Sequence, residues 1–498
     1  MEDEWTVEAN EAVSVSLVRL TPRSIQTIAY FQPKFTYPIF GQDEHIFGYK
    51  NLNIALQFDA RDLRPNVDVR FSKKFKKVGD IEATPVEDIL KEFLPAVAFQ
   101  NRNAYCDAMK NLPDTWTPPG TLVKTVEKNG DVYEIWRGTL DMPDVHQLMK
   151  RVQVMVLFYI EGGSYIIDPE QIIPDKSLAR WSVYFVYKKE LNSEAANKTE
   201  YTFQGFATTY KFWMFQPRAT SVSSGNEMTS DAWEIPKGDP NEDMIHRLRI
   251  SQFLILPPFQ GKGIGALLYN TIYEAAINSP TTTELTVEDP NEDFDLLRDL
   301  CDLKYLRKNV PEFAELKTNN SIHVYPKRGA LRYDMHLSFR GGPPTKDGIL
   351  DREMLEKMRV QTKIETRQFW RLVEMHLMSK LPDSVRPRAE VDAKKPMATQ
   401  EDKHAYLLWR LILKARLYRR NVAVLGEYAL PERIVKLNQT VSNVEWEYAL
   451  TLDRLESKSS IPSDPVLDNS KRRLTSGTDV DAPASKKARV EDAQDVAK

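Results

Sequence analysis

The chain has almost no cysteine. Cys106 and Cys301 are its only two, they lie far apart, and no Cys/His cluster accompanies them, so neither a disulfide framework nor a structural zinc site is expected. Long apolar runs are missing as well. No stretch approaches the roughly 20 apolar residues of a membrane span, and the start Met1-Glu2-Asp3-Glu4-Trp5 is acidic where a signal peptide is basic. Together these absences predict a soluble, intracellular chain in a reducing compartment. An excess of one charge is also lacking: 68 Lys+Arg stand against 71 Asp+Glu, a net charge of −3. That balance removes the electrostatic case for duplex nucleic acid as the main partner.

What is present is core material. The chain is 42% hydrophobic with 9 Trp, 20 Tyr and 21 Phe, and its 498 residues exceed what one core usually organises, so two or three packed units are expected. Residues 1–130 read as a mixed α/β part, with short strands at 13–20, 25–30, 52–58 and 67–71 and helices at 86–93 and 101–112. An acidic loop at 40–44 and a basic run at 73–77 lie between them. Residues 131–310 are β-rich at first, at 132–138 and 153–160. Two long aromatic strands follow, 181–188 and 201–215, joined by the polar loop 189–200 as in an antiparallel meander. After a strand at 247–256 the period switches from two to 3.6, with Ile264, Leu267, Leu268, Ile272 and Ala275 on one helical face. A short strand at 285–287 and a helix at 293–303 come next. Residues 311–456 read as a helical part, with long amphipathic helices near 351–381, 401–425 and 431–455; Phe369, Leu372, Val373 and His376 mark one stripe. From 457 to 498 aromatic residues vanish, and a disordered tail is expected.

The informative stretch joins the strand at 247–256 to the helix after it. Glycines at 261, 263 and 265 let successive backbone N–H groups converge at the positive end of that helix, where a phosphate or pyrophosphate can bind. The loop lacks the Gly-Lys-Ser/Thr of a P-loop, and its G-x-G-x-G spacing differs from the dinucleotide G-x-G-x-x-G. Neither common phosphate loop fits.

The pattern Gln/Arg-x-x-Gly-x-Gly/Ala does fit, as Gln260-Gly261-Lys262-Gly263-Ile264-Gly265. In this the chain resembles the GCN5-related N-acetyltransferases. The strings QFLILPPFQGKGIGALLYNTIY (252–273), LTVEDPNEDFDLLRD (285–299), HIFGYKNLNI (45–54), LFYIEGGSYIID (157–168) and TTYKFWMFQPR (208–218) carry the resemblance further, to the fungal type B histone acetyltransferases. The resemblance implies an α+β fold in which an acetyltransferase core at 131–310 lies between an N-terminal mixed α/β domain at 1–130 and a C-terminal helical domain at 311–456. It implies acetyl-CoA as cosubstrate, held by the main chain of Phe253, Leu254 and Ile255, by the loop residues Gln260 to Gly265 with Ala266, and by Asn291. It implies Glu288 as general base, with Asp289 and Glu161 as further carboxylates. It also implies an amino-terminal histone H4 tail as acceptor, contacted by Gln42, Asp43, Glu44, Tyr210, Lys211 and Phe212, and a WD-repeat histone-binding subunit as partner.

The residue types agree with such chemistry. A lysine ammonium, with a pKa of about 10.4, must lose a proton before its amine can attack a thioester, and a carboxylate does this. Glu288 and Asp289 sit just past a strand; on residue type alone, Glu-Asp-Pro-Asn serves equally as a turn or helix cap. Glu161, before Gly162-Gly163, could ride on a turn. Between Glu284 and Asp299 seven acidic residues face only Arg298, a field suited to a basic peptide or simply to water. Neither cysteine lies in a nucleophile motif, so attack is expected to be direct. In the tail, Lys471-Arg472-Arg473 and Lys486-Lys487-Ala488-Arg489 have the spacing of a bipartite nuclear-import signal, which predicts residence in nucleus and cytoplasm.

Overall fold

Alternating β-branched and aromatic residues build the two larger sheets around which the helices pack, beside two short two-stranded ones among the described residues. The computed structural model describes residues 5–22, 24–168, 175–191, 199–214, 238–322, 348–389 and 396–456. The first sheet contains β1 (Val13–Leu20), β2 (Ile25–Phe31), β3 (Asn53–Asp59) and β4 (Pro65–Arg70) in the order β2-β1-β3-β4. Only the β1/β3 pair is parallel. Helices α1 (Val86–Phe93) and α2 (Arg102–Asn111) follow, the second capped by Asn101, whose side chain accepts the Ala104 N–H at 2.9 Å.

The second sheet runs in sequence order through β5 (Thr121–Lys128), β6 (Asp131–Thr139), β7 (Trp181–Leu191), β8 (Thr199–Trp213), β9 (His246–Ile255) and β10 (Thr282–Val287). Helices α3 (Pro143–Val152) and α4 (Val154–Tyr159) fill the connection from β6 to β7. All neighbours are antiparallel except β9 and β10, which pair in parallel across helix α5 (Ile264–Asn278). Parallel strands need such a crossover because a tight turn can only reverse the chain.

The period of two along β7 divides the core. Val183, Phe185 and Tyr187 face one hydrophobic cluster, shared with the first sheet, α3 and α4. Tyr184 and Val186 face another, shared with α5, α6 (Glu292–Asn309), α7 (Arg352–Thr362), α8 (Thr366–Ser379), α9 (Gln400–Arg420) and α10 (Leu430–Glu456). The architecture is α+β.

A turn after β3 pins the first sheet to the second. The Ala60 N–H donates to the Val18 carbonyl and the Phe203 N–H to the Ala60 carbonyl, both at 2.8 Å. Tyr187 Oη donates to the Arg61 carbonyl at 2.9 Å, and Arg151 Nη1 pairs with Asp62 Oδ2 at 2.7 Å.

Several segments differ from the sequence reading. Residues 153–160 are not β: Val154–Tyr159 is helical, and because Val154 to Phe158 are all buried the run has no polar phase to reveal its period. The single helix expected over 351–381 is two. Lys363 stands between them at φ +54°, its carbonyl accepts the Leu285 N–H at 2.8 Å, and Ile364 bridges Leu285 in parallel, so the chain extends the sheet at β10 before α8 begins. Glu365 then caps α8 by accepting from the N–H groups of Arg367 and Gln368. Strand β5 was not anticipated, and α6 is longer than the helix read at 293–303. The tail at 457–498, with both basic clusters, lies outside the described residues.

Candidate active site

The site begins with a β-bulge. Thr209 pairs with Ile250 and Thr208 with Gln252, which leaves Ser251 as an extra residue in β9. One extra residue exchanges the faces of everything after it. Before the bulge the even residues Leu248 and Ile250 face the cluster with α5; after it Leu254 and Leu256 face the other cluster and Ile255 takes their place. The main chain alternates likewise. Gln252 N–H donates to Thr208 Oγ1 at 3.0 Å and Leu256 N–H to the Gln204 carbonyl at 2.9 Å, both toward β8. Phe253 and Ile255 therefore turn their amides the other way, where β10 has already ended: its pairing with β9 stops at Ile250/Val287. Of the three positions anticipated for main-chain binding, Phe253 and Ile255 point into this gap and Leu254 points to β8. Their side chains are core: Leu254 and Ile255 are buried, and Phe253 packs edge-on against Phe294 at 5.0 Å.

Pro257 and Pro258, which have no N–H to extend a ladder, form a single turn and lead into the glycine loop. Gln260 Nε2 reaches back to the Ile255 carbonyl at 2.8 Å and holds the loop against β9. Gly261 (φ +72°) and Gly263 (φ +76°) are both left-handed, a conformation that favours glycine. Gly263 is the N-cap of α5, no side chain caps that helix, and its first turn holds no acid. The amides of Ile264, Gly265 and Ala266 are thus helix-end donors with no intrahelical acceptor, of the kind that bind phosphate. By contrast α6, α7, α8 and α9 are each capped by a side chain, from Asn291, Asp351, Glu365 and Thr399. At Gly265 an added Cβ would lie 3.5 Å from Leu297 Cδ2, an ordinary contact, which agrees with a motif that admits Gly or Ala there. Lys262 is exposed, its ammonium 5.4 Å from the Phe259 ring centroid.

Glu288 stands where β10 stops. Its N–H donates the last rung to the Ile250 carbonyl at 2.9 Å, and its carboxylate accepts from Ser251 Oγ at 2.6 Å. Arg249 Nη1 is 3.8 Å from its other oxygen. Asp289 follows at φ +34°, an uncommon backbone region of the kind that gathers at functional sites. Neither residue caps α6. Asn291 does, its side-chain Oδ1 accepting the Phe294 N–H at 2.8 Å, so its one amide oxygen is engaged by the helix. Glu161 is exposed on a turn in which Gly162 is left-handed (φ +70°) and donates its N–H to Tyr37 Oη at 2.9 Å. Gln252 Nε2 ties this turn to β9 through the Ser164 carbonyl at 2.9 Å. Gln252 Oε1 is buried without a partner among the described residues, an acceptor left for one further donor. Consecutive residues of the bulge thus hold both carboxylate-bearing segments, a role that no sequence motif signals.

The residues anticipated for a peptide tail divide. Gln42 and Asp43 are exposed. Glu44 is engaged by its own surroundings: Oε1 accepts from Thr36 N–H at 2.6 Å and Tyr37 N–H at 3.0 Å, Oε2 from Asn10 Nδ2 at 2.9 Å. Burial acts to raise its pKa, but these hydrogen bonds outweigh it and hold the carboxyl below the usual range. Tyr210 and Phe212 belong to an aromatic cluster, with Trp181 at 4.7 Å from Tyr210 and Phe212 at 4.8 Å. The Arg249 guanidinium lies 4.0 Å over Phe212, linking this cluster to Glu288. Burial, followed by the neighbouring Arg137, lowers the pKa of Lys211, against the opposing influence of Glu242 and Asp239.

The acidic field is narrower than the sequence suggests. Glu284 pairs with Arg247 and Arg359, and buried Asp299 pairs with Arg371 at 2.7 Å, so both face the interior. Arg298 is buried beside Asp302. Glu288, Asp289, Glu292 and Asp293 remain exposed. Cys301 is buried, and that burial pushes its thiol up to about 12, which leaves it unreactive at neutral pH.

Comparison with known proteins gives the family. Residues 5–161 match the family model described as "Histone acetyl transferase HAT1 N-terminus" and residues 343–382 the one described as "Fungal HAT1, C-terminal". The histone acetyltransferase type B catalytic subunit of Gibberella zeae is 42% identical over 99% of this chain and 100% of its own length. Those of Pyricularia oryzae and Neurospora crassa are 40% and 38% identical, covering 99% and 98% of this chain and 99% of each relative. With identity of this degree along almost its whole length, the chain belongs to the family of type B histone acetyltransferase catalytic subunits.

Proposed function

We propose that the protein transfers acetyl from acetyl-CoA to the ε-amine of amino-terminal tail lysines on newly synthesised histone H4, by direct attack with Glu288 as general base. The observation that carries this reading is the gap at the end of β10. Glu288 borders it, the amides of Phe253 and Ile255 turn into it, and the uncapped end of α5 follows directly in the chain. In this reading residues 131–310 form a GCN5-related acetyltransferase core between the N-terminal mixed α/β and C-terminal helical domains.

The glycine-loop amides and Lys262 hold the pyrophosphate of acetyl-CoA, and the main chain of Phe253 and Ile255 pairs with its pantetheine arm. Glu288 takes a proton from the lysine ammonium, directly or through water. The freed amine attacks the thioester carbonyl, the C–S bond breaks, and the departing CoA thiolate leaves as its thiol by taking the second proton that the acetylated nitrogen gives up. Backbone N–H groups turned into the gap stabilise negative charge on the carbonyl oxygen as it develops. Asp289 and Glu161 keep the acceptor channel acidic; Glu292 and Asp293 extend that field toward a basic peptide. The aromatic cluster at Tyr210 and Phe212 receives the apolar parts of the tail. A WD-repeat histone-binding subunit as partner, and residence in nucleus and cytoplasm, complete the reading.

The test is acetyl transfer from labelled acetyl-CoA to an H4 tail peptide, wild type beside Glu288→Gln, from about pH 6 to about pH 10. Loss of a general base lowers the rate on the order of 10²–10⁴-fold. Wild type that binds acetyl-CoA yet leaves the peptide unmodified would reject the substrate; wild type that binds only the peptide would reject the transferase.

A further inference from the structure

Ser251 has no place in the ladder. It is the residue that the bulge adds, between Ile250 and Gln252, which each have a partner on β8. Removing it would leave Gln252 opposite Thr208 and Leu254 opposite Phe206 in a regular ladder, so the packing of Leu254 and Leu256 does not require it. The bulge brings a hydroxyl to the edge where β10 ends, and Ser251 Oγ donates to Glu288 Oε2 at 2.6 Å. That is the short distance of a hydrogen bond to a charged oxygen. Apart from this bond and the distant Arg249, no side chain among the described residues restrains the Glu288 carboxylate, and its side chain is 47% exposed.

We propose that Ser251 is a positioning residue for acetyl transfer, fixing the Glu288 carboxylate so that one oxygen is held and the other is presented to the acceptor amine. The inference rests on Glu288 being the base. A carboxylate this exposed would otherwise sample many rotamers, and general-base catalysis requires the accepting oxygen within hydrogen-bond reach of the proton it takes. Arg249, stacked on Phe212, lies 3.8 Å from the other oxygen of the same carboxylate.

The experiment is a double-mutant cycle on the full chain: Ser251→Ala, Ser251→Thr, Glu288→Gln and the Ser251→Ala/Glu288→Gln double variant, with kcat and the KM for acetyl-CoA measured on an H4 tail peptide. Ser251→Ala is expected to lower kcat roughly 10- to 100-fold with little change in KM, as a misplaced group does. Ser251→Thr, which keeps the hydroxyl, is expected to retain most of the rate. In the Glu288→Gln background Ser251→Ala should have no further effect, because the two act as a unit. Equal losses from Ser251→Ala in both backgrounds would overturn the proposal, as would a folded Ser251→Thr no better than Ser251→Ala. A fully active Glu288→Gln single variant would reject the base itself and is recognised separately from failure of the positioning role.

Discussion

Lys363 donates from its ammonium to the carbonyl oxygen of Ser279, the residue that closes helix α5, at 2.5 Å. The same ammonium reaches the carbonyls of Ala276 at 3.1 Å and Ile277 at 2.9 Å. A cation at a helix C-terminus satisfies carbonyls that have no intrahelical donor and opposes the negative end of the dipole. The helix so capped carries the glycine loop at its other end, and Lys363 belongs to the segment matched by the fungal C-terminal family model. Replacement by Met, which keeps the aliphatic stem, should destabilise the chain by about 1.5–3 kcal/mol, the range for hydrogen bonds to a charged group. A lower urea midpoint with an unchanged slope is the expected result; an unchanged midpoint would show that the three contacts do not persist in solution.

The glycine loop separates two kinds of glycine. Gly263→Ala places a Cβ at φ +76°, which costs about 1–2 kcal/mol for an L-residue, and should raise the KM for acetyl-CoA. Gly265→Ala meets only Leu297, Ile255 and Phe253 at 3.5 Å or more and should leave it unchanged. Titration of both variants with acetyl-CoA distinguishes them; equal weakening would mean that the Gly265 side of the helix end is also closely lined by the ligand.

Gly205 lets β8 approach β9. A Cβ there would stand 2.3 Å from the Leu254 carbonyl oxygen and 2.8 Å from Ile255 Cα, both backbone atoms that cannot swing aside. Gly205→Ala should therefore destabilise by about 1–3 kcal/mol, as overpacking does. It should also speed amide exchange at Leu256, whose N–H bonds the neighbouring Gln204 carbonyl. A stable variant with Leu256 still protected would contradict the close approach.

Acid should weaken the chain through His376. Burial, and then the Arg307 guanidinium 3.3 Å from Nδ1, push this imidazole from 6.5 down to about 3. Below pH 6.5 the unfolded chain takes up a proton that the folded chain refuses. The contribution is therefore complete above that value and is lost as the pH falls toward about 3, at ~1.4 kcal/mol per pH unit for one proton. Urea midpoints of wild type and His376→Gln at about pH 7.5 and about pH 5 check the sign: wild type should lose more between the two. Parallel losses would place the acid sensitivity elsewhere.

Most strands of the second sheet could be read from period two, and the strand, glycine loop and helix from their switch of period, because both are local signals. Val154–Tyr159 was misread because an all-buried run carries no phase. The break at Lys363 was hidden because neither Gly nor Pro marks it; tertiary bonds to Leu285 and to the end of α5 impose it. The resemblance, not residue type, pointed to Glu288, and neither could give Ser251 or Gln252 a role, since that depends on a bulge defined only by the partner strand. Glu44 shows the converse. An exposed-looking acid proves to be bound to the amides of Thr36 and Tyr37, a local geometry no charge count reveals.

The turn at Ala60 has a consequence for how the chain is made. Its carbonyl is satisfied by Phe203, the Arg61 carbonyl by Tyr187, and the Asp62 carboxylate by Arg151. On a ribosome adding about 5–20 residues per second, the first sheet emerges on the order of 10 s before Phe203 does. During that interval the latches from Tyr187 and Phe203 are missing, and the part of the apolar face that β7 and β8 cover is bare. A nascent-chain chaperone would therefore have its main client in the N-terminal third, and translation pauses between β4 and β8 would prolong that exposure.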